Sequence, residues 1–195
     1  MSAAAVTAPP AARRRRTAVP AGILRRLAAA GLALLVPQVA LAQLAHEVKG
    51  AFLFKFLSYV EWPEDALGGP HAPFVIGVLG DEEVRGALQQ IVQGREAQGR
   101  PVEVRRLKSG DGPEGLQMLF AGRGSVQELA RFVGRRGLLL VGDSDDGLAR
   151  GAMINLLLAE NRIRFEVAPE AAERAGLHIS SRMLALAQVV KPGTP

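Results

Sequence analysis

Three acids, Asp143, Asp145 and Asp146, crowd the carboxyl end of the apolar run at 137–141 (GLLLV), a placement that suits a cation or a small ligand. A calcium loop begun at Asp143 needs a glycine at its sixth position and a bidentate Glu at its twelfth. Those positions hold Leu148 and Ile154, so the ligand set fails. Asp143 and Ser144 then have two readings, a small-molecule pocket at the end of a strand or a cap on the next short helix. Asp81 occupies a comparable place after the run at 74–80 (FVIGVLG). A dinucleotide site would need G-x-G-x-x-G there, so that backbone can approach a pyrophosphate. The turn instead reads Gly77-Val78-Leu79-Gly80-Asp81-Glu82, and its acids would repel phosphate. Neither the phosphate-binding loop nor the G-x-S-x-G nucleophile elbow occurs. His46, His71 and His178 share no metal-ligand spacing, and the chain has no cysteine. The residues predict no catalytic set, no metal and no cofactor.

The elements that would carry these residues alternate. A helix is expected over 44–60, ended by Trp62-Pro63, because proline lacks the donor and restrains the residue before it. A buried strand at 74–80 is followed by a helix to about Val92, capped by Asp81, with Glu82 and Glu83 complementing its dipole. Residues 101–107 alternate apolar and charged positions as a half-exposed strand does, and 116–121 and 137–141 read as buried strands. Ser125 is expected to cap a helix ending near Val133, with Glu128 completing a capping box. Segments 152–158 and 162–167 then predict a hairpin around Ala159-Glu160-Asn161, with Asn161 left-handed. Pro169 opens a helix stopped by Gly176, and Ser180 or Ser181 caps a last helix through Val190. The expected fold is α/β, a single domain with a mostly parallel central sheet, helices on both faces and a C-terminal antiparallel hairpin.

The net charge of +5 suggests nucleic acid until it is located. Residues 1–42 hold six arginines and no acid, which leaves eighteen basic against nineteen acidic residues in the remainder. A nucleic-acid binder carries its positive charge on the domain itself, and this excess lies in the leader. That leader runs from a basic stretch ending at Arg26, through an uncharged run at 27–36, to Pro37 and Ala40-Leu41-Ala42. This is the order of a secretory signal peptide, with cleavage after Ala42. An uncleaved anchor is the alternative, although Pro37, Gln38 and Gln43 make a poor spanning helix. Either way the positive flank keeps the N-terminus cytoplasmic and places the domain outside the inner membrane, in the periplasm. The expected division is a signal peptide at 1–42, a domain at 43–191 with no stable membrane insertion once cleaved, and a frayed tail at 192–195.

Five of the nine aromatics fall within eleven residues: Phe52, Phe54, Phe56, Tyr59 and Trp62. At about 100° per residue, Val48, Phe52, Phe56 and Tyr59 form one stripe, widened by Leu53 and Val60, as a core-facing helix requires. Phe54 lies on the opposite side with Glu47, Ser58 and Glu61. An aromatic on a polar face is a candidate contact for another chain, unless a neighbouring segment of the same chain covers it.

The stretch Lys49-Gly50-Ala51-Phe52-Leu53-Phe54-Lys55-Phe56, continued by Tyr59-Val60-Glu61-Trp62-Pro63, resembles the opening motif of the YfiR family. Segments 74–80 (FVIGVLG), 141–144 (VGDS), 151–156 (GAMINL), 162–167 (RIRFEV) and 175–184 (AGLHISSRML) follow in the family's order, so the resemblance covers about Ala45 to Val190. It implies a compact periplasmic α/β protein that dimerises and represses a membrane diguanylate cyclase by binding its periplasmic region, lowering cyclic di-GMP and biofilm formation. The implied partner is an inner-membrane receptor with a cytoplasmic output domain. Within these motifs Phe54, Tyr59, Trp62 and Glu166 are the expected partner contacts. The family often has Asn where Lys55 stands, and disulfide control known in some relatives cannot transfer to a chain without cysteine.

Overall fold

The computed structural model describes residues 36–190. The leader up to residue 35 and the tail from 191 lie outside the described residues. The chain divides into two units, Met1–Val39 and Ala40–Pro195, and apart from residues 36–39 the second carries the fold described below.

Its elements in chain order are α1 (Val36–Phe56), β1 (Val60–Glu61), β2 (Phe74–Leu79), α2 (Glu82–Val92), β3 (Glu96–Ala97) and β4 (Arg100–Leu107). There follow β5 (Met118–Ala121), a run of 3₁₀ turns at Arg123–Phe132, β6 (Leu139–Asp143), β7 (Ile154–Ala159), β8 (Arg162–Val167) and α3 (Pro169–Arg174). The chain closes with β9 (His178–Ile179), α4 (Ser181–Leu186) and β10 (Val189–Val190). The main sheet has the order β10-β8-β7-β6-β5-β2-β4-β3, and β1 pairs separately with β9. Strands β4, β2, β5, β6 and β7 run parallel, while β7 and β8 form an antiparallel hairpin. This is the expected α/β domain. Both faces of a parallel sheet are covered, and so β2 and β5 read as unbroken apolar runs, and β6 as one up to its terminal Asp143, with every residue buried. β4 lies next to the two-residue edge strand β3 and keeps only Val102 fully buried, which is why it alternates in sequence.

Several local expectations are corrected. Helix α1 stops at Phe56, six residues before Trp62, because Tyr59 and its neighbours serve pairing: Val60 and Glu61 join Ile179 and His178, and Ser180 N–H donates to the Tyr59 carbonyl at 2.9 Å. Ser125 caps nothing; the 3₁₀ run begins after Gly122 without a side-chain cap, and Glu128 is bonded by Ser109 and Arg131. The β7–β8 turn has two residues, with Glu160 as well as Asn161 left-handed (φ 49° and 60°), since Ala159 pairs directly with Arg162. Ser180 does cap the last helix, but α4 ends at Leu186 and the chain turns extended to run as β10 beside β8.

Candidate functional site

In an open α/β sheet the place for a ligand is the crevice where the strand order reverses. Here β2 is followed by β4 on one side and by β5 on the other, so the crevice lies between the carboxyl ends of β2 and β5. The protein's own atoms fill its floor. Gly80 is left-handed (φ 74°), and any side chain there would run into the Ser125 side chain packed over it. Gly122 N–H donates to the Leu79 carbonyl and Ser125 N–H to the Gly122 carbonyl, both at 2.8 Å, which ties the two loops together. Asp81 spends its carboxylate on the cap of α2, accepting the Val84 N–H at 2.9 Å, as the sequence predicts. Outside this plug lies an open depression of about 420 Å³ whose rim mixes Asp81, Glu82 and Glu83 with Arg106 and Lys108.

At the carboxyl end of β6 the structure builds a polar cluster. Asp143, buried, holds Lys49 of α1, with Nζ 2.5 Å from Oδ2. Ser144 follows it, and the fully buried Asn155 of β7 brackets that residue. Its Oδ1 accepts the Ser144 N–H at 3.3 Å and its Nδ2 donates to the Ser144 carbonyl at 2.8 Å. Opposite Asn155 in the β7–β8 register stands the half-buried Glu166, whose Oε2 is 3.5 Å from Asn155 Nδ2. Ser144 Oγ donates to Asp146 at 2.9 Å, and that hydrogen bond, reinforced by Arg150, holds the Asp146 carboxyl below its ordinary range. The capping reading of Asp143 and Ser144 is thereby corrected: the 3₁₀ turn at Leu148–Arg150 has no side-chain cap, and both residues bond elsewhere. Beside this cluster opens a cleft of about 570 Å³ with Met153, Leu148 and Val133 as apolar lining and Arg150, Glu166 and Arg174 among its polar groups. Among the described residues no group of three His, Asp or Glu side chains is placed to hold a metal ion.

The expected partner contacts are not brought together. Phe54 is half-buried, packed against the core, with the Arg95 guanidinium 6.0 Å from its ring centroid. Tyr59 is half-buried near α4. Trp62 is only 8 % exposed; it packs edge-on against Phe74 at 5.0 Å and donates its indole N–H to the Gln117 carbonyl at 3.1 Å. That indole is a core group, and a surface role for it is corrected. Sequence reasoning missed Lys49, Asn155 and Gln117. Lys49 had a signal: it stands one turn before Phe52 and Leu53, on a burying face where a charge must find a partner. Asn155 and Gln117 sit inside apolar runs, where a lone buried amide is there to satisfy backbone. Gln117 does so twice over, accepting the Val75 N–H at 2.8 Å and donating to the Ala66 carbonyl at 2.9 Å.

The family model of the YfiR/HmsC-like proteins matches residues 46–188. The chain belongs to that family. The match runs from the turn of α1 that carries Lys49 to the residue before β10, so it includes both the plugged crevice and the polar cluster. YfiR/HmsC-like proteins are periplasmic regulators in cyclic di-GMP signalling, and they act through a membrane signalling protein. In this YfiR/HmsC-like chain no helix among the described residues is long and apolar enough to cross a membrane. Comparison with individually curated proteins found no match.

Proposed function

We propose that this chain is a non-catalytic periplasmic protein that binds and represses an inner-membrane signalling protein, a diguanylate cyclase, lowering cyclic di-GMP and biofilm formation. The observation that carries the reading is the plugged crevice. Where an α/β enzyme would admit a cofactor, Ser125 lies over Gly80 and Asp81 caps its own helix. The candidate contacts are Phe54 beside Arg95, Tyr59, and Glu166 on the hairpin strand β8, presented by a homodimer after the leader is removed behind Ala42. Deletion of the gene should raise cyclic di-GMP under conditions where the partner cyclase is expressed, and detergent-solubilised membranes should yield that cyclase when the protein is used for capture. An unchanged cyclic di-GMP level in the deletion strain would remove the repressor reading. A second reading, a small-molecule sensor, is favoured by the cleft beside Asp145 and Asp146. Under that reading calorimetry with periplasmic metabolites gives saturable heat that Ala149→Trp, at an exposed lining position of the cleft, abolishes.

A further inference from the structure

Helix α1 is held differently along its length. Its last two turns carry Leu53 and Phe56 into the core, joined by Leu57 just after the helix, and Phe52 and Phe56 meet Phe165 with ring centroids 5.6 and 5.5 Å away. Gly50 packs so closely on α2 that a Cβ would lie 3.1 Å from Leu88 N. The turn before it has much less. Ala45, His46 and Val48 are half-buried, Glu47 is exposed, and His46 buries Nδ1 without a protein hydrogen-bond partner. What anchors this turn with direction is Lys49, whose side chain is 14 % exposed, on Asp143, whose side chain is 5 % exposed.

A buried ion pair contributes little net stability, because desolvating both charges offsets their attraction; removing one partner, however, strands a charge. Such a pair fixes where a segment sits more than whether the domain folds. Apolar contacts alone are non-directional and would let the turn shift. Asp143 is followed in the chain by Ser144, which hydrogen-bonds Asn155 beside Glu166, so the position of this one turn is tied through the end of β6 to the β7–β8 hairpin.

We propose that the Lys49–Asp143 pair is a latch that seats residues 45–49 of α1 over the carboxyl end of β6, and that release of this turn from an otherwise folded domain alters the hold on the membrane partner. The second half rests on the repressor reading above. The test is amide hydrogen exchange, read by mass spectrometry on the exported protein, for Lys49→Met, Asp143→Asn and the exchanged pair K49D/D143K. Exchange over 45–52 should rise at least tenfold in each single variant, with β2, β5 and β6 unchanged, and fall back in the exchanged pair. Unchanged exchange over 45–52, or a loss that spreads through β5 and β6, would overturn the latch. If the single variants do not fold, K49M/D143L removes the charges without stranding one. It should keep the wild-type denaturation midpoint while 45–52 exchanges fast, and wild-type protection there would also overturn the proposal. Capture of the cyclase should change at least fivefold in Lys49→Met; equal capture with fast exchange would refute the switching role. A wild-type protein that captures no cyclase tells against the repressor reading instead, while the exchange result still judges the latch.

Discussion

Phe54 and Phe56 are two residues apart on one helix and do different work. Phe56 is 2 % exposed and touches both Phe52 and Phe165, so Phe56→Ala opens a cavity and should cost roughly 3–5 kcal/mol in chemical denaturation. Phe54 keeps part of its ring in solvent beside Arg95, and Phe54→Ser should cost only about 1 kcal/mol of stability. If its ring anchors the receptor, the same substitution should weaken capture at least about thirtyfold, as loss of an interface aromatic does. Equal destabilisation by both substitutions would make Phe54 a core residue and remove it from the partner surface. Asn155 poses a different single-residue question. Its amide bonds both the N–H and the carbonyl of Ser144, and Gly147 N–H also reaches that carbonyl, so Asn155→Ala leaves the Ser144 N–H unpaired and should lower stability by roughly 1–3 kcal/mol.

Among the elements, α2 shows how local chemistry and a tertiary contact share one loop. Asp81 accepts from Val84 in the manner of an N-cap, and Asp81→Ala should cost about 1 kcal/mol. Gly80, one residue earlier, is held by two demands at once, a left-handed backbone and the Ser125 side chain packed against it. Gly80→Ala should therefore cost more than the cap does, about 2–3 kcal/mol, and adding Ser125→Gly should recover only the steric part of that loss. A full recovery would mean that backbone strain at residue 80 is negligible. The same contrast governs α1 and α4, both shorter than their sequences suggest at the C-terminal end. Residues 57–60 and 187–190 fall within the expected helices, but strand partners are within reach, and Val60, Val189 and Val190 pair with β9 and β8 instead.

For the whole molecule, hydrogen-bonded surface carboxylates add a small pH dependence to stability. Asp65 is held below its ordinary value of 3.8 by the hydrogen bond from Arg136, Glu82 below 4.5 by Arg85, Glu128 by Arg131 and Ser109, and Asp146 by Ser144 and Arg150. A carboxylate whose folded pKa is depressed stabilises the fold above its unfolded value, and that stability is lost as pH falls through the folded value. The denaturation midpoint should fall from pH 4.5 downward, and added salt should flatten the fall, because all four groups are at the surface. A pH profile identical at low and high salt would show that these pairs contribute nothing. Export belongs to this scale as well: the intact mass of the periplasmic protein should correspond to a chain starting at Gln43, and a mass that includes residues 1–42 would place the protein on the membrane by its leader.

The alternation of strands and helices, the caps at Asp81 and Ser180, the hairpin and the core-facing stripe of α1 are legible in the sequence, because each depends on neighbours within a few residues or on a period of burial. The same reasoning found Asp143 and Ser144 at the end of a strand but could not choose between pocket and cap. The answer was Lys49, ninety-four positions away in the chain. Trp62, named among the expected partner contacts, is likewise enclosed by Gln117 and Phe74 from distant strands. The crevice followed the same rule: glycine at residue 80 is written in the chain, but only the packing of β5's following loop puts Ser125 over it. Short-range hydrogen bonds and hydrophobic periodicity decided the elements. Which charges meet, which aromatic is enclosed and which crevice is filled were decided by strand order, since that order brings remote residues to one end of the sheet.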